Sequence, residues 1–387
     1  MIKDSDQFNQ NIETNEEAAY FIENINKQYE VDKFKYVKQS KNLVYQYLKE
    51  NKIIIDQRYD LKKQVSMWFA SVKYKAYDNN THKDVLIDYY EDFPSEDLFY
   101  FNQFLKGIEI QKFLNHENIE KIYDLNIISY PKINKMYVVY DYMETSLYHI
   151  IASQQQLTDD HFQFFMYQIL RALHYIHSAK IVCCYLFPKQ ILINSDCSIK
   201  ITDFTSCVGN QNKELRENLN NYHYMSPEYI VEQMSSQKSD IWSAGCIFAE
   251  LINRAKLFLG QNNISIMTQI LQFCGKQNED DLKFYKKSNK EKLQKLMTQE
   301  EQISLQIKFP NATPLALDLL SKMLTFNIYK RFSALQCLQH EYFAELYDPQ
   351  QEFISDQEFD WSSLDQKLTQ EEIIMKLYKN QLFFQQN

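Results

Sequence analysis

The period of the hydrophobic pattern changes along this chain, and that change limits the folds it can adopt. From Ile53 to about Tyr90, short runs rich in Val, Ile, Tyr and Phe are broken by polar turns, which predicts β-strands. A helix is predicted from Glu96 to Leu114, and another strand from Met136 to Tyr142. Later in the chain apolar residues recur at helical spacing, as in Asp159–Ser178 and Ile241–Leu251. The pattern therefore predicts an α+β fold with a β-rich first lobe, a helical second lobe and a cleft between them.

Two further segments flank the predicted lobes, which occupy residues 54–142 and 143–344. Residues 1–53 are predicted to form a helical extension, because Thr14 and Glu17 have capping-box spacing and apolar residues follow on one helical face. That extension either packs on the domain or serves as a partner-binding arm. Residues 345–387 are predicted to be a tail in which Thr369 and Glu372 cap a short helix.

Composition excludes several functional classes. Hydrophobic residues are 45% of the 387, which is typical of a globular chain, and no apolar run reaches the roughly 18 residues of a membrane-spanning helix. A net charge of −9 argues against nucleic-acid binding. Seven cysteines without framework spacing suggest a reducing compartment and no metal site. We expect a cytoplasmic protein that binds neither membranes nor nucleic acid; a cytoskeletal or ciliary assembly is only a hypothesis.

Several motifs occur in an order and spacing that identify a family. The segment Ile181–Phe204 resembles a protein-kinase catalytic loop followed by the metal-binding Asp-Phe-Gly motif. Ser226–Glu228 resembles the Ala-Pro-Glu motif, and Arg331 stands where its arginine partner is expected. The hinge-like Tyr142–Leu147 and the residues from Leu157 onward resemble mitogen-activated protein kinases of the CMGC group. The resemblance implies a bilobal protein-kinase fold over about residues 54–384.

The phosphate-binding loop of that family is built on glycines, and this chain has none before Gly107. The three loop glycines correspond to Ser66, Trp68 and Ser71. Glycine allows backbone N–H groups to approach phosphates closely, and a central tryptophan fills that space. The segment is also compatible with an ordinary β-hairpin with an aromatic tip, which is the interpretation we favour.

The resemblance implies further substitutions around the nucleotide. Asp88 stands in the position of the lysine that holds the α- and β-phosphates, and a carboxylate there repels the triphosphate by on the order of 4 kcal/mol at 4 Å. Leu86 replaces the alanine that packs on adenine, and Gly107 replaces the glutamate that pairs with the lysine. Lys73, on the preceding strand, could contact phosphate from a displaced position; the alternative that we favour is that it fills the emptied pocket or pairs with Asp88.

The catalytic loop and the metal-binding motif are also altered. Tyr185 replaces the catalytic aspartate and, with a reference pKa near 10, is a poor base at neutral pH. Asp203 keeps the metal-binding carboxylate, which leaves either a weak Mg²⁺ ligand or a turn residue. The remaining altered positions of this part are Cys183, Cys184, Gln190 and Thr205.

These substitutions predict a catalytically inactive pseudokinase, not an enzyme, that acts as a protein-binding scaffold or structural component. No cofactor is expected, although weak ATP and Mg²⁺ binding is left open. The alternative is an ATP-dependent serine/threonine protein kinase with rearranged catalytic residues. Protein partners are expected to bind at the N-terminal helices, a groove of the second lobe or the acidic tail, where Asp348 and Glu352 resemble the family's docking residues.

Overall fold

The computed structural model describes residues 43–48, 51–67, 71–129, 133–209, 222–297, 304–364 and 368–386. The chain forms two compact units. The first comprises residues 1–112, 121–142 and 364–387, and the second comprises residues 113–120 and 143–363. The expected division into a sheet-rich part and a helical part of a kinase fold is confirmed. The predicted tail does not stand apart, because its first half belongs to the second unit and its last residues belong to the first.

The first unit is built on a five-stranded antiparallel sheet with strand order β3-β4-β5-β7-β6. Two further strands form an antiparallel hairpin, and two helices complete the part of the unit that the structure describes. The elements are β1 Leu43–Leu48, β2 Asn51–Asp56, β3 Tyr59–Met67, β4 Val72–Asp78, β5 Lys83–Tyr90, α1 Leu98–Phe113, β6 Ile122–Ile127, β7 Met136–Asp141 and, at the C-terminal end, α11 Gln370–Gln386.

The predicted helical extension is not observed where the structure can be compared with it. Residues 1–42 lie outside the described residues, but β1 and β2 pair in antiparallel register where a helix was predicted to reach about Lys52. Short apolar runs rich in aromatic and β-branched residues fit both periods, and pairing with a neighbouring strand decides between them. The helix of the tail is confirmed: the Thr369 backbone N–H and hydroxyl donate to Glu372 Oε2 at 2.7 and 2.9 Å.

The second unit is mainly helical and carries two small sheets with strand orders β11-β10-β8 and β12-β9. Its core is formed by α3 and α5, whose long apolar faces are buried. The strands are β8 Thr145–Ser146, β9 Ile181–Val182, β10 Ile191–Ile193, β11 Ile199–Ile201 and β12 Val208–Gly209. The helices are α2 Leu147–Ala152, α3 Asp159–Ser178, α4 Pro227–Glu232, α5 Gln237–Asn253, α6 Asn263–Cys274, α7 Lys287–Leu296, α8 Leu305–Lys308, α9 Pro314–Met323 and α10 Ala334–Leu338.

Candidate active site

The segment aligned with the phosphate-binding loop is the connection between β3 and β4. Ser66 lies near the end of β3, opposite Lys73 of β4, and β3 has register shifts on the approach to this end. Ser71 is buried, whereas Met67 exposes 72% of its surface. Trp68 lies outside the described residues. The described part is a hairpin, as the favoured interpretation predicts, but the tip that would approach a phosphate is not described.

Asp88 lies in the middle of the sheet, where its side chain is buried. Lys73 is its direct cross-strand neighbour on β4, and 3.6 Å separates Lys73 Nζ from Asp88 Oδ2. The Tyr90 hydroxyl donates a hydrogen bond to the same oxygen at 3.2 Å. Burial and the nearby Asp88 carboxylate raise the pKa of Tyr90 well above its usual value, so the hydroxyl stays protonated as a donor. Lys73 is thus paired with Asp88, the residue that replaces the family's phosphate-binding lysine. This pairing is one of the alternatives that the sequence suggested.

The helix position that should carry the pairing glutamate is occupied by Gly107, which is buried in α1. Glu109 does not substitute for that glutamate, because Lys112 Nζ lies 2.9 Å from it and Asn380 of α11 donates to it at 2.9 Å. Leu86, at the adenine-facing position, is 7% exposed. Lys73 is the lysine directly opposite Asp88, the residue that stands in the position of the family's phosphate-binding lysine.

In the second unit, Asp240 of α5 holds the backbone of the catalytic loop. The N–H groups of Cys183 and Cys184 donate to its two carboxylate oxygens, each at 2.9 Å. His177 Nε2 lies 2.8 Å from Oδ2. Cys184 has a φ of 65°, a conformation that is uncommon for a side chain other than glycine. The side chains of the loop have changed, but fixed hydrogen bonds hold the backbone in a strained conformation.

An aromatic ring and a buried thiol lie at the catalytic-base position and next to it. The Tyr185 ring packs edge-on against Phe187 with 4.8 Å between centroids. Cys183 is buried, and its pKa is raised by a hydrogen bond with Cys207 and by burial. A thiol with a raised pKa is a poor nucleophile, so Cys183 supplies no ready thiolate.

Asp203 and Gln190 bring two oxygen-bearing side chains together beside the loop. Gln190 Nε2 donates to Asp203 Oδ2 at 3.3 Å, and Gln190 is almost fully buried. The Thr205 hydroxyl donates to Asp203 Oδ1 at 2.6 Å, and Asp203 has a φ of 63° while remaining exposed. Mg²⁺ binds proteins through one or two oxygen ligands and completes its shell with water and substrate phosphates. The Asp203 carboxylate fits such an ion, whereas Gln190 faces Asp203 with its amide nitrogen and would join the ion only with the amide turned to present its oxygen. The described residues hold no cluster of three His, Cys, Asp or Glu side chains suited to a metal.

The structural ion pair inferred for the second lobe is present. Arg331 donates to both carboxylate oxygens of Glu228 at 2.8 and 2.9 Å, and both side chains are buried. The neighbouring Ser239 hydroxyl donates to Glu228 Oε1 at 2.7 Å. Charges and hydrogen-bonding groups are therefore matched inside the helical core.

The acidic docking residues differ in accessibility. Glu352 is 5% exposed at its side chain, accepts a hydrogen bond from the Tyr167 hydroxyl at 2.7 Å and lies 3.5 Å from Arg171 Nε. Asp348 is half-buried and accepts from Gln351 at 2.9 Å. A docking role for these residues stays a prediction, with Asp348 the more accessible of the two.

Comparison with known proteins decides the family. The protein kinase domain matches residues 68–343. The chain belongs to the protein kinase family. Mitogen-activated protein kinase spm1 of Schizosaccharomyces pombe is 39% identical over 257 residues, which are 65% of this chain and 61% of that protein. Mitogen-activated protein kinase 13 of Arabidopsis thaliana is 34% identical over 285 residues, 72% of this chain and 78% of that protein. Mitogen-activated protein kinase 5 of Oryza sativa is 35% identical over 280 residues.

The prediction that this chain is not an enzyme is wrong. The family match and the relatives, which are named as kinases, place it among enzymes, and none of these comparisons indicates inactivity. The prediction inferred lost activity from replaced side chains, yet replacement of a side chain leaves open whether another group takes over its charge. The mitogen-activated-kinase-like character deduced from the motifs is confirmed.

Proposed function

We propose that this chain is an ATP-dependent serine/threonine protein kinase with rearranged catalytic residues. The observation that carries the proposal is the contact between Asp203 and Gln190, held beside a catalytic loop whose backbone is fixed by Asp240. A divalent cation bound to the Asp203 carboxylate, with the Gln190 amide turned to offer its oxygen, would neutralise charge on phosphate oxygens. Lys73 is the candidate replacement for the phosphate-binding lysine of the first unit, since it lies directly across from Asp88.

Replacement of the catalytic base lowers the expected rate of phosphoryl transfer but leaves positioning and charge stabilisation, which contribute most of the rate. Phosphoryl transfer proceeds through a loose transition state, so the protein contributes mostly positioning and charge stabilisation. Proton removal by a side chain typically contributes about 10²–10⁴-fold. Because Tyr185 cannot provide that factor at neutral pH, we expect slow turnover with an intact dependence on divalent cation.

The full-length chain can be tested with radiolabelled ATP, Mg²⁺ and an arrayed library of serine and threonine peptides. Asp203→Asn should lower transfer by about 100-fold, since it removes the charged ligand. Lys73→Met should also lower transfer, whereas Lys63→Met, an exposed lysine of the same sheet, should leave it unchanged. In parallel, millimolar Mg²⁺ and ATP should raise the melting temperature of the wild type. Wild-type protein with neither transfer nor a melting shift would refute the proposal.

Binding of protein partners is a second proposal, compatible with the first. It is favoured by the accessible carboxylate of Asp348 in the segment that resembles the docking region of the family. Deletion of residues 1–52 and substitution of Asp348 and Glu352 by alanine should each be compared with wild type in pull-down experiments. Unchanged recovery of partners by both variants would exclude the N-terminal segment and the acidic tail as the contact sites.

A further inference from the structure

Two cysteines meet where the short strands β9 and β12 pair in the second unit. In that antiparallel pair Val182 lies directly opposite Val208. The next step of the same register places Cys183 opposite Cys207. A hydrogen bond joins their two side chains, and both residues are free thiols. Strand pairing has therefore brought together two thiols that belong to separate segments, the catalytic loop and the segment after Asp203.

The expected separation of the two backbones suits a disulfide bond. Directly opposed residues of an antiparallel pair have Cα atoms about 4.5–5.5 Å apart, and their side chains leave the same face. Disulfides link residues whose Cα atoms are about 4.4–6.8 Å apart. A bond between Cys183 and Cys207 therefore requires little movement of either strand.

The surroundings of the pair affect the rate of oxidation. Cys183 is 7% exposed and Cys207 only 1%. The hydrogen bond with Cys207 and burial raise the pKa of Cys183, so its attack on an oxidant is slow. A buried disulfide is also slow to be reduced, because exchange requires access of a thiolate to one of its sulfurs. The thiol of the neighbouring Cys184 donates instead to the backbone oxygen of Val182 at 3.5 Å.

From this geometry we propose that Cys183 and Cys207 form a disulfide when the protein is exposed to hydrogen peroxide. The peroxide oxidises the thiol of Cys183, the more exposed of the two, to a sulfenic acid; the O–O bond breaks and one water leaves. The Cys207 thiol then attacks that sulfur. The S–S bond forms, the S–O bond breaks, and the thiol proton leaves in a second water. The two thiols together lose two electrons, which reduce the peroxide.

The disulfide would close a ring that contains the candidate active site. Residues 183–207 include Tyr185, Gln190 and Asp203. A cross-link across such a ring restricts the unfolded chain and so stabilises the folded state. Oxidation should therefore fix the catalytic loop to the segment that carries Asp203. This site does not depend on the proposed phosphoryl transfer, because none of the groups proposed to bind ATP or Mg²⁺ takes part in the oxidation.

The test exposes the full-length chain to millimolar hydrogen peroxide for several hours. Remaining thiols are blocked with N-ethylmaleimide in urea, and unreduced tryptic peptides are identified by mass spectrometry. We expect peptide 181–189 to be cross-linked to peptide 201–213, and a sample treated with dithiothreitol to lack this product. The oxidised protein should also melt about 5 °C above the reduced protein.

Variants assign the bond, because peptide 181–189 carries both Cys183 and Cys184. Cys184→Ser should retain the cross-link and the rise in melting temperature, whereas Cys207→Ser should lose both. Cys197→Ser removes a half-buried thiol outside the pair and should behave as wild type does. Absence of the cross-link from wild type after prolonged exposure would overturn the proposal. Loss of the cross-link in Cys184→Ser would also overturn it, as would a bond that joins two chains in non-reducing electrophoresis.

Discussion

Lys73 and Asp88 are directly opposed on β4 and β5, with 3.6 Å between Lys73 Nζ and Asp88 Oδ2. The two ends of this pair differ in their access to water, since the lysine side chain is 29% exposed and the aspartate only 8%. Buried carboxylates are costly without a compensating charge, whereas a partly exposed ammonium can regain hydration. Loss of the lysine, which leaves the buried aspartate unpaired, is therefore costlier than loss of the aspartate, which leaves a hydrated lysine.

This asymmetry predicts unequal effects of the two single substitutions. Lys73→Met should lower the free energy of unfolding by about 2 kcal/mol, because Asp88 is left buried with its charge uncompensated. Asp88→Asn should cost only about 1 kcal/mol. The double variant should be less destabilised than the sum of both, as urea unfolding in a double-mutant cycle would measure. Strict additivity would contradict a direct interaction.

The Glu228–Arg331 pair should be among the most sensitive positions of the second unit. Arg331→Met leaves a buried carboxylate with only neutral hydrogen-bond donors, among them the Ser239 hydroxyl, and should lower the free energy of unfolding by about 3–5 kcal/mol. Lys322→Met breaks an exposed pair with Asp318 and should cost less than about 0.5 kcal/mol. Denaturant unfolding of both variants measures the difference. Equal small losses would show that the buried pair is not required.

Asp240 should be required for the conformation of the catalytic loop. Its two oxygens accept hydrogen bonds from the backbone N–H groups of Cys183 and Cys184. In Asp240→Asn one acceptor becomes an amide donor that faces a backbone donor, so we expect a loss of about 2–4 kcal/mol in the free energy of unfolding. Amide hydrogen exchange at Cys183 and Cys184 should accelerate. Unchanged exchange at these two amides would contradict this role.

Asp124 should make the stability of the chain depend on pH. Burial raises the pKa of this carboxyl from 3.8 to about 6 in the folded state, even though the Tyr59 hydroxyl donates to it at 3.1 Å. The unfolded chain releases the proton more readily, so folding is penalised at high pH. At pH 7 the penalty is about 3 kcal/mol, and it decreases as the pH falls through 6 towards 4.

Asp124→Asn should remove that dependence. The variant should be more stable than wild type at pH 8, with a difference of only about 1 kcal/mol near pH 4.5, and urea unfolding at several pH values would measure both. Asp78 does not contribute to the pH dependence between pH 4.5 and 8. Burial alone would raise its pKa, but hydrogen bonds from Arg58 and other donors outweigh burial and lower the pKa to about 2. Its contribution is lost only below pH 4. A wild-type stability that is flat between pH 5 and 8 would contradict the prediction.

Local sequence pattern predicted the regular elements well where one period was clear. Asp159–Ser178 was predicted as a helix and is one, because its apolar face recurs at 3.6-residue spacing over several turns. The prediction was wrong at Leu43–Leu48. This short apolar run fits both the helical and the strand period, and pairing with β2 makes it a strand. Motif order predicted the site residues, and that assignment stays a prediction. Replaced side chains alone led to the wrong inference that the protein is not an enzyme.

The sequence by itself determined the family and most of the regular elements, and it predicted which catalytic positions are altered, because these depend on residue type and spacing. Only the tertiary structure decided how those residues are partnered. Lys73 meets Asp88 through strand register, Glu109 is held by Asn380 from 271 positions away, and segments 113–117 and 353–357 meet in one pocket. Such contacts form because packing brings distant segments together, and no local pattern encodes a distance between them.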